Sequence, residues 1–128
     1  MRLLFDSHFL IGVMDEKFTP DQRRLIDGVS SAQERWASVA SLWEIAIKVG
    51  IGKLQLKGSL AKMPEMLEAY GFSILEISRV HVLERLNDPP STRDPFDRLL
   101  LAQCQVEGLR LVTTDRALVD HPLAWRAP

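Results

Sequence analysis

The sequence predicts an α/β protein: a three-layer sandwich in which a parallel sheet of about four or five strands has helices on both faces. Short apolar runs with strand character alternate along the chain with segments whose apolar residues recur at helical spacing. This alternation favours a parallel sheet, because parallel strands need long crossover connections that are usually helices. The length of 128 residues predicts one domain over residues 1–128.

The first half of the chain is predicted to hold two strands and three helices. Thr19-Pro20-Asp21-Gln22 supplies an N-cap, a proline at the first helical position and a glutamine that can complete a capping box. Apolar runs indicate the strands, and Gly50 ends the third helix. The expected order is strand Arg2–Phe5, helix Ser7–Met14, helix about 20–30, strand Trp36–Ala40 and helix Ser41–Val49.

The second half continues the alternation. Gly71 and Gly108 are expected to end two helices, and Pro89-Pro90 marks the loop before the second of them. The expected order is helix about 59–70, strand Phe72–Ile77, helix Ser78–Leu86, loop Asn87–Arg93, a helix opened by Asp94 and Pro95, strand Leu109–Thr113 and a last edge strand Leu123–Arg126.

Composition limits the class of protein. With 46% hydrophobic and 26% charged residues, the chain is typical of a soluble globular protein. It contains no apolar run of the roughly 20 residues that a membrane span needs, and an aspartate follows Phe5 too soon for a signal peptide. The single cysteine, Cys104, is expected to be a core residue and fits a reducing cytosol, so a cytoplasmic location is expected. Because the net charge is −1, nucleic-acid binding would require a local basic patch.

Four acids from distant segments are placed at one edge of the predicted sheet. Asp6 and Asp115 each follow a predicted strand, and Glu44 and Asp97 each stand in the first turn of a predicted helix. Ligands of parallel sheets bind beyond the carboxyl ends of the strands, where the helices that follow the strands also begin. The four carboxylates are therefore expected to converge.

Each acid also has a purely structural interpretation. Asp94 suits an N-cap, and Asp97 suits the positive end of the same helix. Ser41 and Glu44 have the spacing of a capping box, and Asp6 and Asp115 suit turns or caps. Local pattern alone leaves both interpretations open for all four acids.

Clustered carboxylates need a compensating charge, which a hard divalent cation supplies. Mg²⁺ or Mn²⁺ suits oxygen ligands, and a site of this kind activates water and offsets charge on phosphoryl oxygens, so phosphodiester hydrolysis is the favoured chemistry. Ser7 and Thr113 or Thr114 are expected to orient carboxylates or waters. The basic residues next to the acids in sequence are candidate phosphate contacts, with solvated or ion-paired roles as the alternative: Lys48, Arg93, Arg98 and Arg116.

Three stretches together resemble the PIN-domain ribonucleases, specifically the VapC-like toxins of type II toxin–antitoxin systems. They are "LLFDSHFLI", "SVASLWEIAIKVGIGKL" and "RDPFDRLLLAQCQVEGLRLVTTD", and the similarity runs nearly the full length. The resemblance implies a metal-dependent endoribonuclease using Mg²⁺ or Mn²⁺. It assigns the acidic quartet to Asp6, Glu44, Asp97 and Asp115, with Asp94 as an accessory acid or helix cap.

The resemblance also implies partners and shows two departures. It implies an RNA substrate, a homodimer and an antitoxin that blocks the acidic pocket, often with a basic side chain. Ser7 stands where close relatives usually have threonine, which keeps the hydroxyl. Thr92 stands where relatives often have histidine, which puts a substrate contact at that position in doubt.

Other classes of protein fit the sequence less well. A haloacid-dehalogenase-like phosphatase requires a second aspartate two residues after the first, where this chain has His8. A receiver-type domain requires an aspartate after its middle strand, where "FSILEIS" offers only Glu76. The non-enzymatic alternative is a binding module whose acids serve only as caps and ion pairs.

Overall fold

The computed structural model describes residues 1–128 and contains four strands and six α-helices. The strands are β1 (Arg2–Phe5), β2 (Glu34–Ser38), β3 (Phe72–Leu75) and β4 (Arg110–Val112). The helices are α1 (Ser7–Asp15), α2 (Pro20–Asp27), α3 (Val39–Gly50), α4 (Met63–Ala69), α5 (Arg79–Leu83) and α6 (Pro95–Glu107), with a 3-10 turn at Leu60–Lys62 before α4.

All strands of the sheet are parallel, in the order β3-β2-β1-β4. Phe5, the last residue of β1, is level with Ala37 of β2 and with Val112 at the end of β4. The three strands therefore end close together, and the residues that follow them lie at the same edge. This arrangement confirms the predicted fold class.

The two faces of the sheet are covered by different helices. Leu3 and Phe5 of β1 belong to a core cluster with residues of α1, α3 and α4. Leu4, which points to the opposite face, packs in a second cluster with Leu100 and Leu101 of α6. None of the helices combines the length and the apolarity needed to cross a membrane.

The structure corrects the predicted boundary between β2 and α3. The strand begins at Glu34 rather than Trp36, and the helix begins at Val39 rather than Ser41. Ser38 is the N-cap, because its hydroxyl accepts a hydrogen bond from the Ala40 N–H at 2.9 Å. The capping box predicted for Ser41 and Glu44 is therefore wrong.

Other elements are shorter than predicted. Helix α2 ends at Asp27 because Gly28 forms its C-cap, and α5 ends at Leu83 because Glu84 takes an extended backbone conformation. The helix predicted over 59–70 divides into the 3-10 turn and α4. The last edge strand is wrong, since only Ala124 forms a bridge to the sheet, opposite Leu111.

Candidate active site

Asp6 lies directly after β1 and forms the N-cap of α1. Its carboxylate accepts a hydrogen bond from the Phe9 N–H at 3.1 Å, and the residue is only 5% exposed. Burial raises the pKa of the Asp6 carboxyl, and the charge of Asp115 raises it further. Hydrogen bonding to the Thr113 side chain and to the Phe9 backbone, together with the charge of His8, opposes the rise. Asp6 is therefore a helix cap whose ionised form is disfavoured by burial and by the charge of Asp115.

Asp97 stands at the third position of α6 and shows the clearest sign of an acidic cluster. Partial burial and then the charges of its acidic neighbours raise the pKa of Asp97 from 3.8 to about 7. In order of effect, the neighbours are Asp94, Asp115, Glu44 and Asp6. A helix N-terminus by itself would stabilise the ionised carboxylate, so the opposite shift means that burial and the neighbouring acids outweigh the helix dipole.

Asp94 is the N-cap of α6, as the sequence predicts. Its side chain accepts hydrogen bonds from the Phe96 N–H at 2.8 Å and the Asp97 N–H at 3.4 Å, and Pro95 occupies the first helical position. These contacts assign Asp94 a structural role that Asp97 does not share.

Asp94→Ala is therefore expected to destabilise the protein by about 1 kcal/mol, the typical cost of losing an N-cap side chain. Urea unfolding at pH 8 measures this free energy, with Asp94→Asn as the control because asparagine caps helices about as well as aspartate. Equal stability of Asp94→Ala and the wild type would contradict the capping role.

Glu44 lies in the second turn of α3, because that helix starts earlier than predicted. It is 8% exposed, and both carboxylate oxygens have partners. Oε1 accepts a hydrogen bond from the Ser7 hydroxyl at 2.5 Å, and Oε2 lies 3.0 Å from Nζ of Lys48. Ser7 therefore links the Glu44 carboxylate to the segment that carries Asp6, and Lys48 offsets its charge.

Asp115 follows β4 and is held by its own turn. Its carboxylate accepts from the Ala117 N–H at 2.9 Å, and its N–H donates to the Thr113 hydroxyl at 3.0 Å. The charge of Asp115 raises the pKa values of both Asp6 and Asp97. The acids of four distant segments are therefore within electrostatic reach of one another, with Asp97 influenced by all the others.

Two of the basic candidates already have protein partners. Lys48 pairs with Glu44, and Arg98 donates to the Glu84 carbonyl oxygen at 2.9 Å. Arg93 and Arg98 line a cleft of about 280 Å³ on the side of Pro89 and Pro90. Arg116 is exposed and makes neither an ion pair nor a side-chain hydrogen bond.

Sequence reasoning missed an aromatic pair beside the acids. Trp43 and Phe96 immediately precede Glu44 and Asp97, and their rings meet edge to face with centroids 5.4 Å apart. Trp43 is nevertheless 58% exposed. The sequence shows an aromatic residue before Glu44 and another before Asp97. Their contact could not be predicted, because it depends on the packing of α3 against α6.

The donor set fits a hydrated divalent cation. No three of the His, Cys, Asp and Glu side chains lie close enough together to enclose a metal ion. Mg²⁺ does not require such a cage, because it commonly binds one or two carboxylates and keeps waters or phosphate oxygens as its other ligands. The acids supply only oxygen donors, and burial together with their mutual repulsion raises the pKa of Asp97. A cation is therefore expected to bind one or two acids directly and the others through water.

The fold and these side chains define a parallel α/β domain with an acidic cluster at the carboxyl edge of its sheet. The family model for the PIN domain matches residues 3–122, and the chain therefore belongs to the PIN domain family. PIN domains are nucleases and generally use divalent metal ions. This membership sets aside the phosphatase and receiver-type alternatives.

Two solved structures have the same fold. A chain of a toxin–antitoxin complex from Klebsiella pneumoniae has 17% sequence identity and a TM-score of 0.61, with 98% of each chain covered. A chain of VapBC2 from Rickettsia felis, bound to a DNA fragment from the promoter, has 14% identity and a TM-score of 0.58, covering 97% of this chain and 96% of that one. Among curated proteins, none matches significantly.

Proposed function

We propose that this protein is a metal-dependent endoribonuclease that hydrolyses RNA phosphodiesters and acts as the toxin of a toxin–antitoxin pair. The observation that carries the proposal is the Asp97 carboxyl, whose pKa of about 7 reflects burial and the surrounding acids. Membership in the PIN domain family supports the assignment of this cluster as a nuclease site rather than as a set of caps. The fold shared with chains of toxin–antitoxin complexes supports the toxin role.

The four acids of the site divide into two that are buried and hydrogen-bonded and two that are partly exposed. Asp6 and Glu44 are buried and fixed by Phe9 and Ser7 respectively. Asp97 and Asp115 are partly exposed, and we assign them to the side from which an RNA phosphate enters. A bound Mg²⁺ or Mn²⁺ would activate water and offset charge on the phosphoryl oxygens. Near pH 7 the Asp97 carboxyl is partly protonated, so ligand binding at this position competes with a proton.

The proposed setting is the cytosol, with two protein partners. An antitoxin would cover the acidic cluster, for which an arginine side chain is suited by charge and by its forked donors. A second copy of the chain would form the homodimer. Three exposed residues support this because they recur at helical spacing: Trp43 and Ile47 on α3, and Ile51 at its C-cap.

Purified protein free of antitoxin is expected to cleave total RNA in Mg²⁺ or Mn²⁺ and to lose all cleavage in EDTA. Gel electrophoresis of the products measures this, and an endonuclease gives internal fragments rather than only mononucleotides. Heat-denatured protein in Mn²⁺ is the control for metal-catalysed hydrolysis. A well-folded protein without cleavage in either metal would favour the binding module instead.

A further inference from the structure

A second cleft lies beside the acidic cluster and is basic. Its volume is about 470 Å³, within the roughly 300–1,000 Å³ of pockets that bind small ligands. It is formed by α2, the segment after β4 and the C-terminal segment, which are far apart in sequence. The charged side chains that line it are Asp21, Arg24, Arg116 and Arg126.

The cleft has an excess of positive charge. Arg24 pairs with Asp21 on the exposed surface of α2. Arg116 and Arg126 are exposed and make no ion pair or side-chain hydrogen bond. Two cations are therefore left uncompensated at one place, although the chain as a whole carries a net charge of −1. Clustered arginines of this kind attract phosphate groups strongly.

Thr113 joins this cleft to the acids. It lines the cleft, its hydroxyl accepts the N–H of Asp115 at 3.0 Å, and hydrogen bonding from its side chain lowers the pKa of Asp6. One wall of the basic cleft is therefore a residue that contacts two members of the acidic cluster. A strand whose phosphate lies at the acids would place its neighbouring nucleotides at this wall.

We propose that the cleft of Arg24, Arg116 and Arg126 binds the sugar–phosphate backbone of the RNA strand next to the phosphate being cleaved. This inference rests on the proposed ribonuclease function and adds the path of the substrate. The one aromatic residue in the lining, Trp125, is 8% exposed and belongs to the core, so it offers no face for stacking a base. Binding here is therefore electrostatic and independent of base sequence.

The other basic cleft is a weaker candidate for this path. Its lining includes Arg85, Arg93 and Arg98, but Arg98 is already bonded to the Glu84 carbonyl oxygen. Thr92 of that lining accepts a hydrogen bond from the Asp94 N–H at 3.1 Å, but no residue of the lining is hydrogen-bonded to Asp6 or Asp115. The cleft that contains Thr113 is the one joined by direct contacts to Asp6 and Asp115.

Arg116→Gln/Arg126→Gln is expected to weaken RNA binding without affecting the fold. The double variant and its reference protein both carry Asp97→Asn and are kept in EDTA, so that no RNA is cut. Binding is measured from the fluorescence anisotropy of a labelled single-stranded RNA at several salt concentrations. We expect affinity to fall at least about 10-fold at low salt. The plot of log affinity against log salt concentration should become less steep by about 1.4, since two phosphate contacts are lost and each contact to a single strand contributes roughly 0.7.

The control is Arg79→Gln/Lys53→Gln, which removes the same charge from exposed positions elsewhere and is expected to keep the wild-type slope. Equal losses in the two double variants would overturn the proposal, because net charge alone would then explain the binding. A loss of affinity for a polyglutamate peptide with RNA affinity unchanged would also overturn it and assign the cleft to an acidic protein segment. If RNA binding depends on the cleft but wild-type protein cleaves nothing in Mg²⁺ or Mn²⁺, the nuclease proposal fails and the binding site stands.

Discussion

Asp97→Asn is expected to reduce metal-dependent RNA cleavage at least about 100-fold while the protein stays folded. Loss of residues that only support metal ligands already costs roughly 10- to 100-fold, and the charges of four other acids act on the Asp97 carboxyl. Asparagine keeps the size and one oxygen of the side chain but cannot supply a negative charge. Initial rates on a labelled RNA in Mg²⁺ measure the effect, and circular dichroism checks the fold.

The matched control is Asp120→Asn, which removes a carboxylate from an exposed position after the last strand. It is expected to retain the wild-type rate. Full activity of Asp97→Asn would contradict the proposed site, because it would return Asp97 to the role of a favourable charge at a helix N-terminus. That role predicts a lower melting temperature for Asp97→Asn and no change in rate.

The fold could be predicted because the alternation of strands and helices is a local pattern. The start of α3 could not, because Ser38 and Ser41 are both suitable N-caps by residue type. Tertiary contact decides between them: the Ser38 hydroxyl also donates to Gln103, which lies 65 positions further along the chain. Ser41 is buried without a hydrogen-bond partner. A contact over that distance leaves no local signal.

The position of the acids could be predicted, but their electrostatic state could not. Strand ends and helix starts are visible in sequence, so the edge of the sheet that carries Asp6 and Asp115 follows from the order of the elements. The pKa of Asp97 depends on burial and on charges from three other segments. Likewise, Glu44 acquires Ser7 as a partner only because α1 and α3 pack in this orientation.

His81 has hydrogen-bond partners on both of its ring nitrogens. The residue is 3% exposed. Its Nδ1 accepts the Ser78 N–H at 3.0 Å, and its Nε2 lies 2.7 Å from a carboxylate oxygen of Glu107. The Ser78 hydroxyl in turn accepts the His81 N–H, so the pair forms a capping box with histidine as its third residue. The box caps the short helix α5, and the contact with Glu107 joins that helix to α6.

In EDTA, the free energy of unfolding is expected to fall as the pH rises from about 4 to 8. Burial and neighbouring charge raise the pKa values of Asp6 and Asp97 in the folded protein. An acid whose pKa is raised by folding stabilises the folded state while it is protonated, and this contribution disappears as the pH passes through the folded pKa. For Asp97 the window therefore runs from 3.8 to about 7. Because the side chain is only partly buried, solvent screening reduces its contribution to about 1–2 kcal/mol.

Mg²⁺ is expected to restore the free energy of unfolding at pH 8, where the acids are ionised. It should have little effect at pH 5, where the Asp97 carboxyl is mostly protonated. At a concentration 100 times the dissociation constant, a ligand stabilises the folded state by about 2.7 kcal/mol, which is a rise of roughly 10 °C in melting temperature for a chain of this size. Asp97→Asn is the control, since it should be more stable than the wild type in EDTA at pH 8, equal to it at pH 4, and less responsive to Mg²⁺. Thermal unfolding of both proteins at the three pH values, with Mg²⁺ or EDTA, measures all of these differences.

A wild type that is most stable at pH 8 in EDTA, with an Asp97→Asn variant less stable there, would mean that the acids are compensated by the protein itself and need no cation.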